Sequence, residues 1–232
     1  MAWVIDKGEW LKLYGEIKSA LPLSFHKDQY ATNLLSILLQ QHPGRMRLEE
    51  VPSVGRPVVV FGCGMNLAGD IRVYLNRFTD YPAIAADGSV KKLLDNGIVP
   101  LMVVTDLDGD LRFIQKAARE GSLIIVHAHG DNIDRVQGFV ESIQGRVLGS
   151  TQVEPRPYVY NFGGFTDGDR AVFIARALGS RKVILAGFDF EKPSACETDF
   201  EKNLWVKKLK LEVARRLLEY LSSKGMEIEF IH

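Results

Sequence analysis

Asp106, Asp108 and Asp110 stand on alternate positions directly after an apolar, β-branched run at 101–104, with Pro100 before it and Gly109 within the acidic stretch. An extended backbone sends residues i, i+2 and i+4 to one side, so these carboxylates converge if the strand continues through them. Converging carboxylates repel one another unless a cation holds them. Hard oxygen donors select Mg²⁺, Mn²⁺ or Ca²⁺ over zinc, and Mg²⁺ commonly takes one or two carboxylates while keeping waters and substrate phosphates as its other ligands. The alternative is that residues 108–110 form a turn and cap the next helix, which Asp and Gly do equally well. A calcium EF-hand is excluded, because its loop needs Gly at the sixth position and Glu at the twelfth.

Those acids need a frame, and the chain supplies a repeating one. Residues 58–61 form an apolar strand, Gly62-Cys63-Gly64-Met65-Asn66 a turn, and 67–78 a helical pattern. This is not a full G-x-G-x-x-G, since Leu67 replaces the third glycine, and it lacks a P-loop lysine; a phosphate contact and a structural turn both remain open. The unit recurs at 83–86 with Asp87-Gly88-Ser89 and a helix to Asn96, and at 101–104 with its aspartates and a helix to Glu120. A further unit is 123–126, followed by His127-Ala128-His129-Gly130-Asp131-Asn132 and a helix over about 134–142. Consecutive βα units imply right-handed crossovers and a doubly wound, mostly parallel α/β sheet, Rossmann-like, with every strand's carboxyl end on one edge. Ligands bind along that edge. Turns there do not require an acid after each strand, so Asp87, Asp106, Asp108 and Asp131 together point to a metal-phosphate site.

The remaining segments complete the frame. Residues 144–160 are Pro-marked and irregular, and Gly163-Gly164-Phe165-Thr166-Asp167-Gly168-Asp169 opens a helix to Leu178. Residues 182–186 make a strand ending near Asp189, 197–222 a helix packed through Leu204, Trp205, Leu209, Val213 and Leu217, and 226–231 a closing strand. Ahead of the core lie two helices, 7–20 and a second capped by Asp28, which read as a cover or a homo-oligomer contact. With a boundary in the charged stretch 45–57, the chain divides into an N-terminal helical extension, 1–50, and an α/β catalytic domain, 51–232.

Composition narrows the partners. The 232 residues are 46% hydrophobic, and Lys plus Arg equals Asp plus Glu at 29 each, so nothing favours nucleic acid or an anionic membrane. No stretch approaches the ~18 apolar residues of a membrane helix, and the N-terminus lacks a signal-peptide core. Cys63 and Cys196 match neither a metal spacing nor a disulfide framework, which suits a reducing cytoplasm.

Taken together, 61–67 (Phe-Gly-Cys-Gly-Met-Asn-Leu), 86–89 (Ala-Asp-Gly-Ser), 105–108 (Thr-Asp-Leu-Asp), 127–132 (His-Ala-His-Gly-Asp-Asn) and 163–171 (Gly-Gly-Phe-Thr-Asp-Gly-Asp-Arg-Ala) resemble the archaeal 6-hydroxymethyl-7,8-dihydropterin pyrophosphokinase family. The motif order also resembles, more distantly, thiamin pyrophosphokinases; Ser89, Thr105 and Gly109 depart from that pattern. The resemblance implies Mg²⁺-dependent transfer of diphosphate from ATP to a reduced pterin, with small molecules as partners. It implies Asp106 and Asp108 as metal ligands, Asp131 and Asp134 as further ligands or their supports, and Asp87 orienting a ligand. Gly62, Gly64, Asn66, Gly88 and Ser89 would lie by the nucleotide, and His129, Asn132, Gly164, Phe165, Thr166, Asp167 and Asp169 by the substrate. His127 and His129 are the candidate bases. A D-x-D glycosyltransferase and a non-catalytic nucleotide-binding module are the competing readings.

Overall fold

The computed structural model describes residues 3–192 and 204–231, and every structural statement concerns those residues. Two helices come first, α1 (Lys7–Ala20) and α2 (Phe25–Gln41). Then β1 (Val58–Phe61), α3 (Leu67–Arg77), β2 (Ala83–Ala86), α4 (Val90–Asp95), β3 (Met102–Thr105), α5 (Leu111–Arg119), β4 (Leu123–Ala128) and α6 (Ile133–Ser142) alternate as expected. They are followed by β5 (Val147–Thr151), β6 (Val159–Tyr160), α7 (Asp167–Ala177), β7 (Lys182–Ala186), α8 (Leu204–Ser223) and β8 (Glu227–Phe230).

The eight strands form one sheet in the order β6-β5-β4-β3-β2-β1-β7-β8, and each neighbouring pair is parallel. The chain therefore winds outward from β1 to β6 and returns through α7 to β7. The switch point of this doubly wound fold lies between β1 and β7, where a crevice opens at the carboxyl edge. Every residue of β1, β2 and β3 is buried, which is why these strands read as continuous apolar runs. Alternate residues feed two cores: Val59, Phe61 and Val103 pack with Leu35 and Phe139, while Val58, Val60 and Val104 pack with Trp10, Ile174 and Leu217.

Residues 144–160 differ from the irregular segment read in the sequence, because β5 and β6 extend the sheet there; Pro155 and Pro157 fall in the connection between them. The N-terminal helices cover both faces. Trp10 is fully buried and donates to the Gln152 carbonyl at 2.8 Å, while α2 packs on α6, β4 and β5. Asp28 does not cap α2. Ser24 does, and Asp28, one turn further on and 3% exposed, accepts from Tyr14 Oη, Gln152 Nε2 and the Gly130 amide, each at 2.8 Å. The apolar pattern begins late in this helix, so its polar first turn was legible only as a cap.

In α8, Val213 and Leu217 are buried as expected, but Trp205 is 64% exposed; the expected start at 197 lies outside the described residues, as does Cys196. Cys63 is disulfide-bonded rather than a free thiol, which corrects the sequence expectation. Among the described residues no helix is long and apolar enough to cross a membrane.

Candidate functional site

The adjacent strands β2 and β3 lead at one edge into Asp87 and into Asp106-Leu107-Asp108. One carboxylate oxygen each from Asp87, Asp106 and Asp108 lies within 4.8 Å of the others. The convergence does not come from a continued strand, since β3 stops at Thr105. Leu107 adopts φ +67°, a left-handed turn uncommon for a non-glycine residue, and is buried to 1% exposure. Its amide donates to Thr105 Oγ1 at 2.8 Å and its carbonyl accepts from Arg135 Nη1 at 3.1 Å. Leu107 thus anchors the turn while its two acidic neighbours remain at the edge.

Asp87 is held by Thr105 Oγ1, which donates to its Oδ2 at 2.5 Å, and by the Gly109 amide at 3.3 Å. A Cβ on residue 109 would fall 1.9 Å from Asp87 Oδ1, so glycine is what admits this carboxylate. Asp108 donates its amide to Asp106 Oδ1 at 3.2 Å. Asp110 takes the capping alternative, accepting from the Arg112 amide, Nε and Nη2 at 3.1, 2.9 and 2.7 Å.

The acids are electrostatically unequal. Burial pushes Asp87 up to about 7 against the hydrogen bond from Thr105, with the charges of Asp106 and Asp108 adding to the rise. Burial also works against the charge on Asp106, but His129, whose Nε2 lies 3.5 Å from Oδ2, together with a hydrogen bond to Asp108, outweighs it and holds that carboxylate below the ordinary range.

A fourth acid approaches from α7. Asp167 accepts the Asp106 amide on Oδ2 at 3.3 Å and Arg170 Nη1 on Oδ1 at 3.1 Å. Burial, then the charge of Asp106, raises Asp167 well above the usual carboxylate range. Asp169 is turned to structure: it accepts the Phe165 and Thr166 amides at 2.6 and 2.8 Å and the Thr166 hydroxyl, forming the capping box that starts α7. Gly164, at φ +83°, wraps the turn over Arg170, and Phe165 packs against the apolar core.

The other sequence candidates separate into those facing the trio and those supporting it. Asp131 and Asp134 are exposed and lie outside the trio. Asn132 is 1% exposed and donates to the carbonyls of Asp106 and His127 at 2.7 and 2.8 Å, tying the β3 and β4 loops together. Buried His127 has both ring nitrogens engaged, with Ser150 Oγ at 2.9 Å and Arg170 Nη2 at 3.1 Å, which leaves His129 as the histidine facing the acids. Ser89 Oγ lies 3.0 and 2.7 Å from the Phe61 and Ala86 carbonyls, and Gly88 sits in the short turn with it. Asn66 donates to Asp70 Oδ2 at 2.8 Å, and Asp70 in turn accepts the Gly187 amide at 2.7 Å. Arg170 and Thr105 lie within the quoted motifs, but the sequence assigned neither a role in the site. The signal for Arg170 was an arginine inside the otherwise apolar stretch that α7 buries.

The donor set is three carboxylates with no thiolate, which suits a hard divalent cation such as Mg²⁺ rather than zinc. The model of the family described as 6-hydroxymethylpterin diphosphokinase MptE-like matches residues 29–194, which contain the trio, Asp167 and Arg170. The chain belongs to this family. Curated relatives named 6-hydroxymethyl-7,8-dihydropterin pyrophosphokinase agree along nearly their whole length. The Pyrococcus furiosus protein is 41% identical over 94% of both chains. The Methanothermobacter thermautotrophicus protein is 37% identical over 93% of this chain and 95% of its own, and the Methanocaldococcus jannaschii protein 35% over 98% and 100%. Among solved structures, the Maf glycosyltransferase of Magnetospirillum magneticum AMB-1 shares the fold with TM-score 0.53 at 19% identity, over 84% of this chain and 35% of that one.

Proposed function

We propose that the protein is a 6-hydroxymethyl-7,8-dihydropterin diphosphokinase, transferring diphosphate from ATP to the pterin's hydroxymethyl group with release of AMP. The observation that carries this reading is the acidic trio at the carboxyl edge of the sheet in a member of this family. Asp106 and Asp108, with Asp87 beside them, would hold Mg²⁺. Bound there, the cation would supply charge compensation for the phosphate oxygens; the acceptor oxygen would bond to the β-phosphorus as the bond from that phosphorus to the α,β-bridging oxygen breaks, with AMP leaving.

The chain's own residues do the positioning. Asp106 stays ionised beside His129, so one ligand keeps its charge over the working pH range. His129, with Nε2 3.5 Å from Asp106 and Nδ1 accepting the Asp131 amide at 3.4 Å, would steer the acceptor hydroxyl's proton, whereas buried His127 is committed to Ser150 and Arg170. In this reading the protein works in the cytoplasm, in pterin biosynthesis of the folate or tetrahydromethanopterin type.

The test is incubation with ATP, Mg²⁺ and 6-hydroxymethyl-7,8-dihydropterin, with nucleotides resolved by chromatography and products by ³¹P NMR. AMP and the pterin diphosphate are expected, and chelation should stop the reaction. ADP with a pterin monophosphate would mean attack at the γ-phosphorus and end the proposal. Consumption of a UDP-, GDP- or CMP-sugar in place of ATP would install the D-x-D glycosyltransferase reading instead.

A further inference from the structure

Arg170, in the first turn of α7, is 1% exposed. Its Nη1 donates to Asp167 Oδ1 at 3.1 Å, and its Nη2 lies 2.8 Å from the Phe165 carbonyl and 3.1 Å from His127 Nε2. A guanidinium only donates, so His127 Nε2 is the acceptor and the ring proton sits on Nδ1, directed to Ser150 Oγ at 2.9 Å. Burial and the neighbouring charge of Arg170 keep that imidazole neutral. On the other side, Asp167 Oδ2 accepts the Asp106 amide at 3.3 Å. A continuous chain, Ser150–His127–Arg170–Asp167–Asp106, therefore links β5, β4 and α7 to the loop that carries the acidic pair.

We propose that Arg170 is a positioning residue for the reaction proposed above: its fork fixes Asp167, and Asp167 fixes the backbone from which Asp106 and Asp108 project. The catalytic part of this inference rests on that reaction; the geometric part does not. Stability alone is a weak account of the residue, because a buried Arg–Asp pair gains little over well-packed apolar side chains. The links also need a planar, two-pronged donor, which lysine does not offer.

The test uses Arg170→Lys, which keeps the charge and removes the fork, and Asp167→Asn, which keeps size and removes the carboxylate. In folded protein each should lower kcat by about 10²-fold, the scale of a misplacement near 1 Å, while KM for ATP and the Mg²⁺ half-saturation stay within about twofold. In metal-free ¹⁵N-labelled protein the Asp106 amide resonance should move in both variants. Wild-type kcat in either folded variant, or an Asp106 amide that stays in place, overturns the proposal, as does a parallel loss of kcat, KM and melting temperature. If Arg170→Lys does not fold, Asp167→Asn decides. If the wild-type protein makes no AMP from ATP and the pterin, the reaction fails, and the amide shift decides the role of Arg170.

Discussion

Two turns at the same sheet edge, one after β1 and one after β3, each carry glycine within four residues of a buried strand. In the first, the chain itself fills the space. The Gly62 and Gly64 amides donate to the Ala186 and Gly187 carbonyls at 2.8 and 2.6 Å, and a Cβ at either position would come 2.8 Å from the Gly187 oxygen. These glycines let β1 and β7 close against each other across the switch point. In the second turn, Gly109 makes room for a carboxylate, and three acids meet. Small residues in a turn report that something approaches closely; the neighbours decide whether that is backbone, side chain or ligand.

The comparison is sharpened most by Asp106→Asn. If the β3 turn holds the metal, losing one ligand charge should cost about 10³-fold in AMP release, equivalent to about 4 kcal/mol, with the fold retained by circular dichroism. Wild-type turnover with Mg²⁺ still required would move the cation elsewhere. Next come the two glycines. Gly109→Ala must displace Asp87, and about a 10- to 100-fold loss of kcat is expected from that misplacement. Gly64→Ala should instead lower the melting temperature, because overpacking costs about 1–3 kcal/mol, and leave KM for ATP nearly unchanged. A raised KM with an unchanged melting temperature would break the contrast and make the β1 turn a nucleotide contact.

The parallel sheet was legible because Val, Ile and Ala runs buried on both faces have few other uses, and the acids were legible because each follows such a run. Three things were not. β6 has two residues, and β5 breaks its apolar run with Gly149, Ser150 and Thr151 ahead of Pro155 and Pro157, so composition masked them. The way Asp106 and Asp108 meet depends on a left-handed Leu107, which its burial, a local bond to Thr105 and a bond from the distant Arg135 enforce together. Arg170 and Asp28 act through partners more than 40 residues away in sequence, Arg170 on His127 and Asp28 on Gly130 and Gln152. No local pattern encodes such pairs.

Asp87 offers a smaller effect with a definite sign. An unfolded aspartate titrates near ~4, whereas burial raises the folded group to about 7. Between those values the folded protein holds a proton that the unfolded chain has released, so this contribution to stability is complete below ~4 and is lost as pH rises through 7. Asp106, held low, does not titrate in that window, while Asp167, also raised by burial, contributes with the same sign. The melting temperature of metal-free protein should fall from pH 5 to pH 8, and Asp87→Asn should flatten the slope; an unchanged slope in that variant would assign the titration to another group.

The smallest effect is expected at the β4 loop, where the sequence placed two further ligands. Asp131 and Asp134 are exposed and stand outside the trio, so their charge is screened by solvent. The loop's hold on the site runs through Asn132, which donates to the Asp106 carbonyl at 2.7 Å, and through His129. Asp131→Asn and Asp134→Asn should each change kcat by less than about threefold, the scale of an exposed charge worth under ~1 kcal/mol. Asn132→Ala should cost more than either, since it unties two loops and leaves buried carbonyls unmet. If Asp131→Asn instead matched Asp106→Asn in both kcat and Mg²⁺ dependence, the β4 loop would close onto the trio when substrates bind, and the metal set would have four acids.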